Sequence, residues 1–172
     1  HRRFAFAGSL SNSDYRERFQ AFRDTLEAAD IRMEGDAVYD VPAGDAAARM
    51  MLEDGLPYSA VFAASDLIAA ALVKQLTQAG VRVPEDVAVV GFDDSGIVKT
   101  CNPPLTSVRQ PIIDLGRVAL RRAIEMLEGR IGRVGETVLP VTVVIRESSG
   151  GETSDVSEND QTLSWKNIPG EE

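Results

Sequence analysis

Residues 59–95, SAVFAASDLIAAALVKQLTQAGVRVPEDVAVVGFDDS, decide the fold. The opening SAVFAAS is an apolar run too short for a helix, and it reads as a buried strand. DLIAAALVKQLTQAG places Leu67, Ile68, Ala71, Leu72 and Leu76 on one helical face, and Gly80 stops it. DVAVVGF is a second strand, apolar on both faces. Such strands, separated by a helix, belong to a parallel sheet covered by helices on both faces, an α/β fold.

The same alternation runs outward. Upstream, Phe4 to Gly8 is a strand, followed by a helix capped by Ser13 or Asp14, with Tyr15, Phe19, Phe22 and Leu26 as its stripe. A short strand is expected around Ala37 to Val41, then a helix in AGDAAARMMLEDG that Gly55 and Pro57 end. Downstream, Thr106 to Gln110 leads through Pro111 into a helix over residues 112–129, and one or two closing strands surround Pro140. From Ser148 the chain turns acidic and small, so residues 148–172 read as a mobile tail.

With 172 residues and 44% hydrophobic content the chain buries a real core as one domain. A net charge of −9 and a pI near 4.7 argue against this stretch gripping a phosphate backbone. Any DNA binding belongs to another segment. Cys101 is the only cysteine, so neither an intramolecular disulfide nor a thiolate metal site forms. No apolar run spans a bilayer. The chain opens at HRRFAFAG, neither a signal peptide nor a Met start, and reads as a fragment.

Ligands of open α/β sheets bind beyond the carboxyl ends of the strands. That edge collects Gly8 to Ser13 with Arg16 and Arg18, then Tyr39 and Asp40, Ser65 and Asp66, and Asp93 and Asp94. Each has a plain structural alternative. Ser65 or Asp66 caps a helix, Asp93 and Asp94 form a turn before Ser95, the arginines pair on a solvated face, and Tyr39 is core. Their co-location carries the weight. Three carboxylates, Asp66, Asp93 and Asp94, would suit Mg²⁺. The P-loop pattern is absent, and His1, the only histidine, leaves Ser-His-Asp and zinc-hydrolase schemes without a base or ligand set. Polyol recognition fits better: carboxylates accept from hydroxyls, Arg donates, and an aromatic ring covers an apolar sugar face.

Residues 59–95, followed by NPPLTSVRQPIIDLGRVALRRAIEML, closely resemble the effector-binding part of the lactose/galactose repressor family of bacterial transcription regulators. HRRFAFAGSLSNSDYRERFQAF is similar to the family's HRRIAFI stretch and the R-x-x-G-F that follows, with Ala21 where glycine is usual. The resemblance implies a periplasmic-binding-protein-like (type I) core, of which residues 1–147 form mainly the second lobe. Residues 106–130 would cross toward a first lobe that, with the helix-turn-helix, is not in this sequence. It further implies a small-molecule effector, a sugar, in the inter-lobe cleft, contacted by Arg18, Tyr39, Ser65, Asp93 and Gln110. Asp66 would cap its helix and Asp94 would be structural. The expected protein is a cytoplasmic homodimer that reaches operator DNA through its absent N-terminal domain. No catalytic residue, metal, cofactor or membrane contact is expected. The competing readings are a substrate-binding protein of a sugar transporter and a Mg²⁺-dependent phosphotransfer or hydrolase domain.

Overall fold

A computed structural model describes residues 1–33, 37–130, 132 and 135–152. Its elements alternate as β1 (Phe4–Ala7), α1 (Ser13–Ala28), β2 (Val38–Tyr39), α2 (Gly44–Glu53), β3 (Ala60–Ala63), α3 (Asp66–Gln78) and β4 (Ala88–Asp93), then β5 (Thr106–Arg109), α4 (Ile112–Leu127) and β6 (Thr142–Val144). The strands form one sheet in the order β2-β1-β3-β4-β5-β6. All neighbours run parallel except β6, which lies antiparallel to β5. The α/β expectation is met.

Strand residues alternate between the two faces of the sheet, and here the faces differ in residue size. Phe6 and Phe62 are register partners and carry one face. Phe19 and Phe22 of α1 pack on them, with ring centroids 5.2 Å (Phe6–Phe19) and 5.4 Å (Phe22–Phe62) apart. The opposite face holds Ala5, Ala7, Val61, Ala63, Val89 and Gly91. Small side chains there let α2 and α3 lie close. Gly44, the first residue of α2, sits so near the Ile68 carbonyl that a Cβ would overlap it.

Local chemistry departs from the sequence reading in three places. The N-cap of α1 is Asn12, whose side chain accepts from the amides of Asp14 and Tyr15, rather than Ser13 or Asp14. Leu67 faces solvent at 69% exposure, so the buried stripe of α3 is Ile68, Ala69, Leu72, Val73 and Leu76. The tail boundary at Ser148 is also wrong by several residues. Ser148 is fully buried in a 3-10 turn over Glu147–Ser149, donating its hydroxyl to the Val89 carbonyl and accepting the Thr106 amide. The rest of the expected tail, residues 153–172, lies outside the described residues.

The crossing segment likewise starts later than Thr106. Thr106 and Ser107 are buried inside the sheet, and the chain leaves it only after Arg109. α4 then contributes no buried residue: Ile113 is 76% and Leu120 64% exposed. Its apolar side chains, Ile112, Ile113, Leu120 and Leu127 among them, stand exposed.

Stability should therefore reside in α3 and not in α4. Leu72→Ala is expected to lower unfolding free energy by about 2–5 kcal/mol, whereas Ile113→Ser should change it by no more than about 0.5 kcal/mol. Urea denaturation of the two variants measures the contrast. Comparable losses would mean that α4 packs on the fold.

Candidate functional site

The strand order reverses between β1 and β3: from β1 the chain goes to β2 on one side and returns to β3 on the other. At such a switch point the connections leave in opposite directions and open a crevice at the carboxyl edge. α1 projects Arg18 into this crevice. Its Nη1 donates to the carbonyl of Ala64, just past β3, at 2.6 Å. Its guanidinium carbon lies 3.8 Å from the centroid of the Phe92 ring on β4. Its Nη2 stands 3.9 Å from Asp93 Oδ1, close enough for attraction but too far for a hydrogen bond. Gln110, after β5, donates from Nε2 to the same Asp93 oxygen at 2.7 Å. Arg18, Asp93 and Gln110 therefore meet, from three separate segments, at the predicted edge.

Asp93 and Asp94 both take positive φ, 112° and 53°. For residues with a Cβ such a pair is strained and persists only if the surroundings over-determine it. The surroundings do so through Asp66. This residue, 1% exposed, accepts the Ser95 amide on Oδ2 at 2.6 Å and the Ser107 hydroxyl on Oδ1 at 2.5 Å. Ser107 in turn accepts the Asp94 amide. One buried carboxylate thus ties the start of α3 to the turn after β4 and to β5. Gly91 makes room for it: a Cβ there would lie 2.5 Å from Asp66 Oδ1. Asp66 is accordingly no helix cap. Ser65 has that role, its hydroxyl accepting the Ile68 amide.

Asp94 is structural, as expected. Its carboxylate is almost enclosed and pairs with Arg109 Nε at 2.6 Å and with Arg146 Nη2 at 2.7 Å. Arg146 also donates to the Leu105 carbonyl, so the pair is hydrogen-bonded on both sides. Asp40 accepts the Leu10 amide and orders the loop after β1. Burial raises the Asp93 carboxyl above the ordinary Asp range, opposed by the Gln110 hydrogen bond and the Arg18 charge.

Tyr39 does not join the site. It is 1% exposed, its hydroxyl donates to Asp54 at the C-terminal end of α2, and its ring meets Tyr58 edge-on. α2 returns antiparallel to the strands, so the bond to Asp54 turns this ring toward the opposite edge of the sheet. The aromatic groups that sequence reading missed are Phe92 and, 5.6 Å from the Arg18 guanidinium, Tyr15. Phe92 was legible only as one more apolar strand residue. The three carboxylates proposed for Mg²⁺ do not converge, since each is committed to different partners. Among the described residues no group of three or more His, Cys, Asp or Glu is placed to hold a metal ion. A hollow of about 480 Å³ lined by Thr77, Val81, Arg82, Asn102 and Glu147 lies at the opposite edge, away from these groups.

Residues 1–149 match the periplasmic binding protein-like domain family. The chain is 40% identical over 155 residues to the HTH-type transcriptional regulator CelR of Thermobifida fusca, a match covering 86% of this chain and 45% of that protein. It is 31% identical over 141 residues to the ribose operon repressor of Halalkalibacterium halodurans, covering 81% and 43%. Among solved structures it superposes on the CelR–cellobiose complex with a TM-score of 0.79 at 37% identity, covering 87% of this chain and 47% of that one. On the lac repressor dimer bound to operator and the anti-inducer ONPF the TM-score is 0.80 at 28% identity, covering 87% and 53%. The chain spans about half the length of these relatives.

Two outcomes test the geometry. In Asp66→Asn an amide NH₂ replaces one carboxylate oxygen and faces a donor, so stability should fall by about 1–3 kcal/mol. Hydrogen exchange at the Ser95 amide should speed up at the same time. Unchanged exchange would show that the turn does not depend on Asp66. For Asp93 the sign is opposite. Its folded pKa is raised, so the folded state holds its proton more tightly and its ionisation costs stability as pH rises through the raised value. Asp93→Asn keeps an acceptor for Gln110 and should be at least as stable as wild type at neutral pH. That advantage should vanish once the wild-type carboxyl is protonated in both states. Denaturation midpoints across the acidic range measure it, and a variant destabilised at neutral pH would contradict the assignment.

Proposed function

This chain belongs to the periplasmic binding protein-like domain family, in its lactose/galactose-repressor branch, and from that we propose that it is the second lobe of the effector-sensing core of a transcription regulator. The observation that carries this reading is the Arg18–Asp93–Gln110 cluster at the topological switch. Arg18 and Asp93 face each other at 3.9 Å without closing a hydrogen bond, and each retains capacity for a third group. A ligand hydroxyl is such a group, since it accepts from the guanidinium and donates to the carboxylate at once. The cationic and anionic members balance, which favours an uncharged saccharide over a sugar phosphate. Cellobiose, the ligand in the CelR complex, is the first candidate.

Arg18, Asp93 and Gln110 are the effector residues of this lobe. Ser65 acts at one remove by capping α3, and Tyr39 is withdrawn from the site. The exposed apolar side of α4 packs against the other lobe in the whole protein. Effector binding favours one arrangement of the lobes and shifts a two-state equilibrium between protomers of a homodimer. That shift changes operator affinity through a DNA-reading segment outside this chain, in the compartment that holds the DNA. The cluster offers no nucleophile paired with a base, so the role is recognition and not catalysis.

A thermal-shift screen of the full-length protein tests this, using cellobiose, ribose, other neutral saccharides, sugar phosphates and purines, with and without EDTA. A neutral saccharide at a hundred times its dissociation constant should stabilise by about 2.7 kcal/mol regardless of EDTA. Arg18→Ala and Asp93→Asn should lose that shift and the operator response while still binding operator. A response that only Mg²⁺ elicits, or one that survives both substitutions, would overturn the reading.

A further inference from the structure

Phe92 immediately precedes the strained Asp93–Asp94 turn, and it alternates with Gly91 so that its ring lies on the α1 side of the sheet. It is half-buried, but it belongs neither to the buried core nor to the partly buried apolar side chains packed against that core. What covers it is a charge. The Arg18 guanidinium carbon lies 3.8 Å from the ring centroid, which is van der Waals contact over the face. Arg18 is only 18% exposed at this position although its Asp93 partner is 3.9 Å away.

Arginine has many rotamers, and the two closest contacts of this one are the Ala64 carbonyl and the Phe92 ring, with the Tyr15 ring more distant at 5.6 Å. The Nη1 bond to the Ala64 carbonyl fixes one nitrogen but leaves the guanidinium plane free to turn about it. A ring face fixes the plane, because the cation is attracted to the quadrupole only when it lies over the ring. We infer that Phe92 is a positioning residue for the effector site: its ring holds the Arg18 guanidinium so that Nη2 stays opposite Asp93 and both address the same ligand hydroxyl. An aliphatic side chain of similar volume would fill the space without setting the plane. The preorganisation is worth roughly tenfold in ligand affinity.

This role deepens the effector reading of the cleft, yet the positioning is measured without any ligand, so either can fail alone. The experiment compares the 172-residue chain with Phe92→Leu, Phe92→Met and Phe92→Tyr, each confirmed as folded by its melting curve. ¹⁵N relaxation at Arg18 Nε should show a rigid group in wild type and Phe92→Tyr, and fast motion in the Leu and Met variants. A ¹³C titration of the Asp93 carboxyl adds a sign. Loosened packing alone would admit water and lower its midpoint, whereas withdrawal of Arg18 raises it. A raised midpoint in Leu and Met, restored in Tyr, is the expected result. Arg18 rigid in both aliphatic variants, mobile in Phe92→Tyr, or an Asp93 midpoint unchanged or lowered would overturn the assignment. Either aliphatic variant suffices if the other fails to fold.

Discussion

The structure depends on one buried carboxylate. Asp66 lies at the first turn of α3 with almost no exposure, and a carboxylate in that environment is costly unless fully hydrogen-bonded. It is satisfied from outside its own helix, by the Ser95 amide and the Ser107 hydroxyl. Meeting that demand forces the chain after β4 back over the sheet edge, with Asp93 and Asp94 at positive φ. Gly91 is required because any side chain there would collide with the same oxygen. The SD and VVGFDDS segments are therefore two halves of one arrangement. The interior charge of Asp66 places the surface charge of Asp93.

Adjacent aspartates at the end of one strand consequently do different work. Asp94 is turned inward to Arg146 and Arg109, where two guanidinium groups and the Ser107 hydroxyl consume its carboxylate and its amide. Asp93 is turned outward with a single hydrogen bond and a cation held just out of bonding range. Burial raises its proton affinity because this partial solvation is not fully compensated. A group left under-satisfied in this way destabilises the fold slightly, and in the proposed reading a ligand hydroxyl supplies the missing partner.

Much of this was legible in the sequence, for identifiable reasons. The fold was, because strands apolar on both faces and helices with a 3.6-residue stripe leave few alternatives. The edge holding Arg18 and Asp93 followed from the carboxyl ends of the strands, whereas Gln110 came from the family resemblance. What escaped were contacts between residues distant in sequence. Nothing local distinguishes Asp66 from a helix cap, since Ser65 and Asp66 are both good caps and the choice is made by Ser107, forty-one positions away. Tyr39 ends a strand at the correct edge, but its hydroxyl finds Asp54 on the returning helix and the ring follows it. Ser148 opens an acidic stretch that looks detached, yet its hydroxyl bridges Val89 and Thr106 inside the fold. In each case a hydrogen-bond partner outweighed the local composition.

Under the effector reading we propose, the cluster and α4 give a half-site of this kind a short route for a signal. Arg18, Asp93 and Gln110 line one wall of the crevice, and the next helix in the chain after Gln110 is the one that buries nothing. The residue that binds Asp93 and the helix that seeks an apolar partner are thus separated by little more than Pro111. Under the same proposed reading, a ligand hydroxyl that competes for Asp93 frees Gln110 and so acts on the first turn of α4 through a proline, whose fixed φ leaves little slack between them. Differential affinity for two lobe arrangements is all a ligand can contribute to such a switch. In that reading Pro111 alone separates Gln110, bonded to Asp93, from the exposed helix that would face the other lobe.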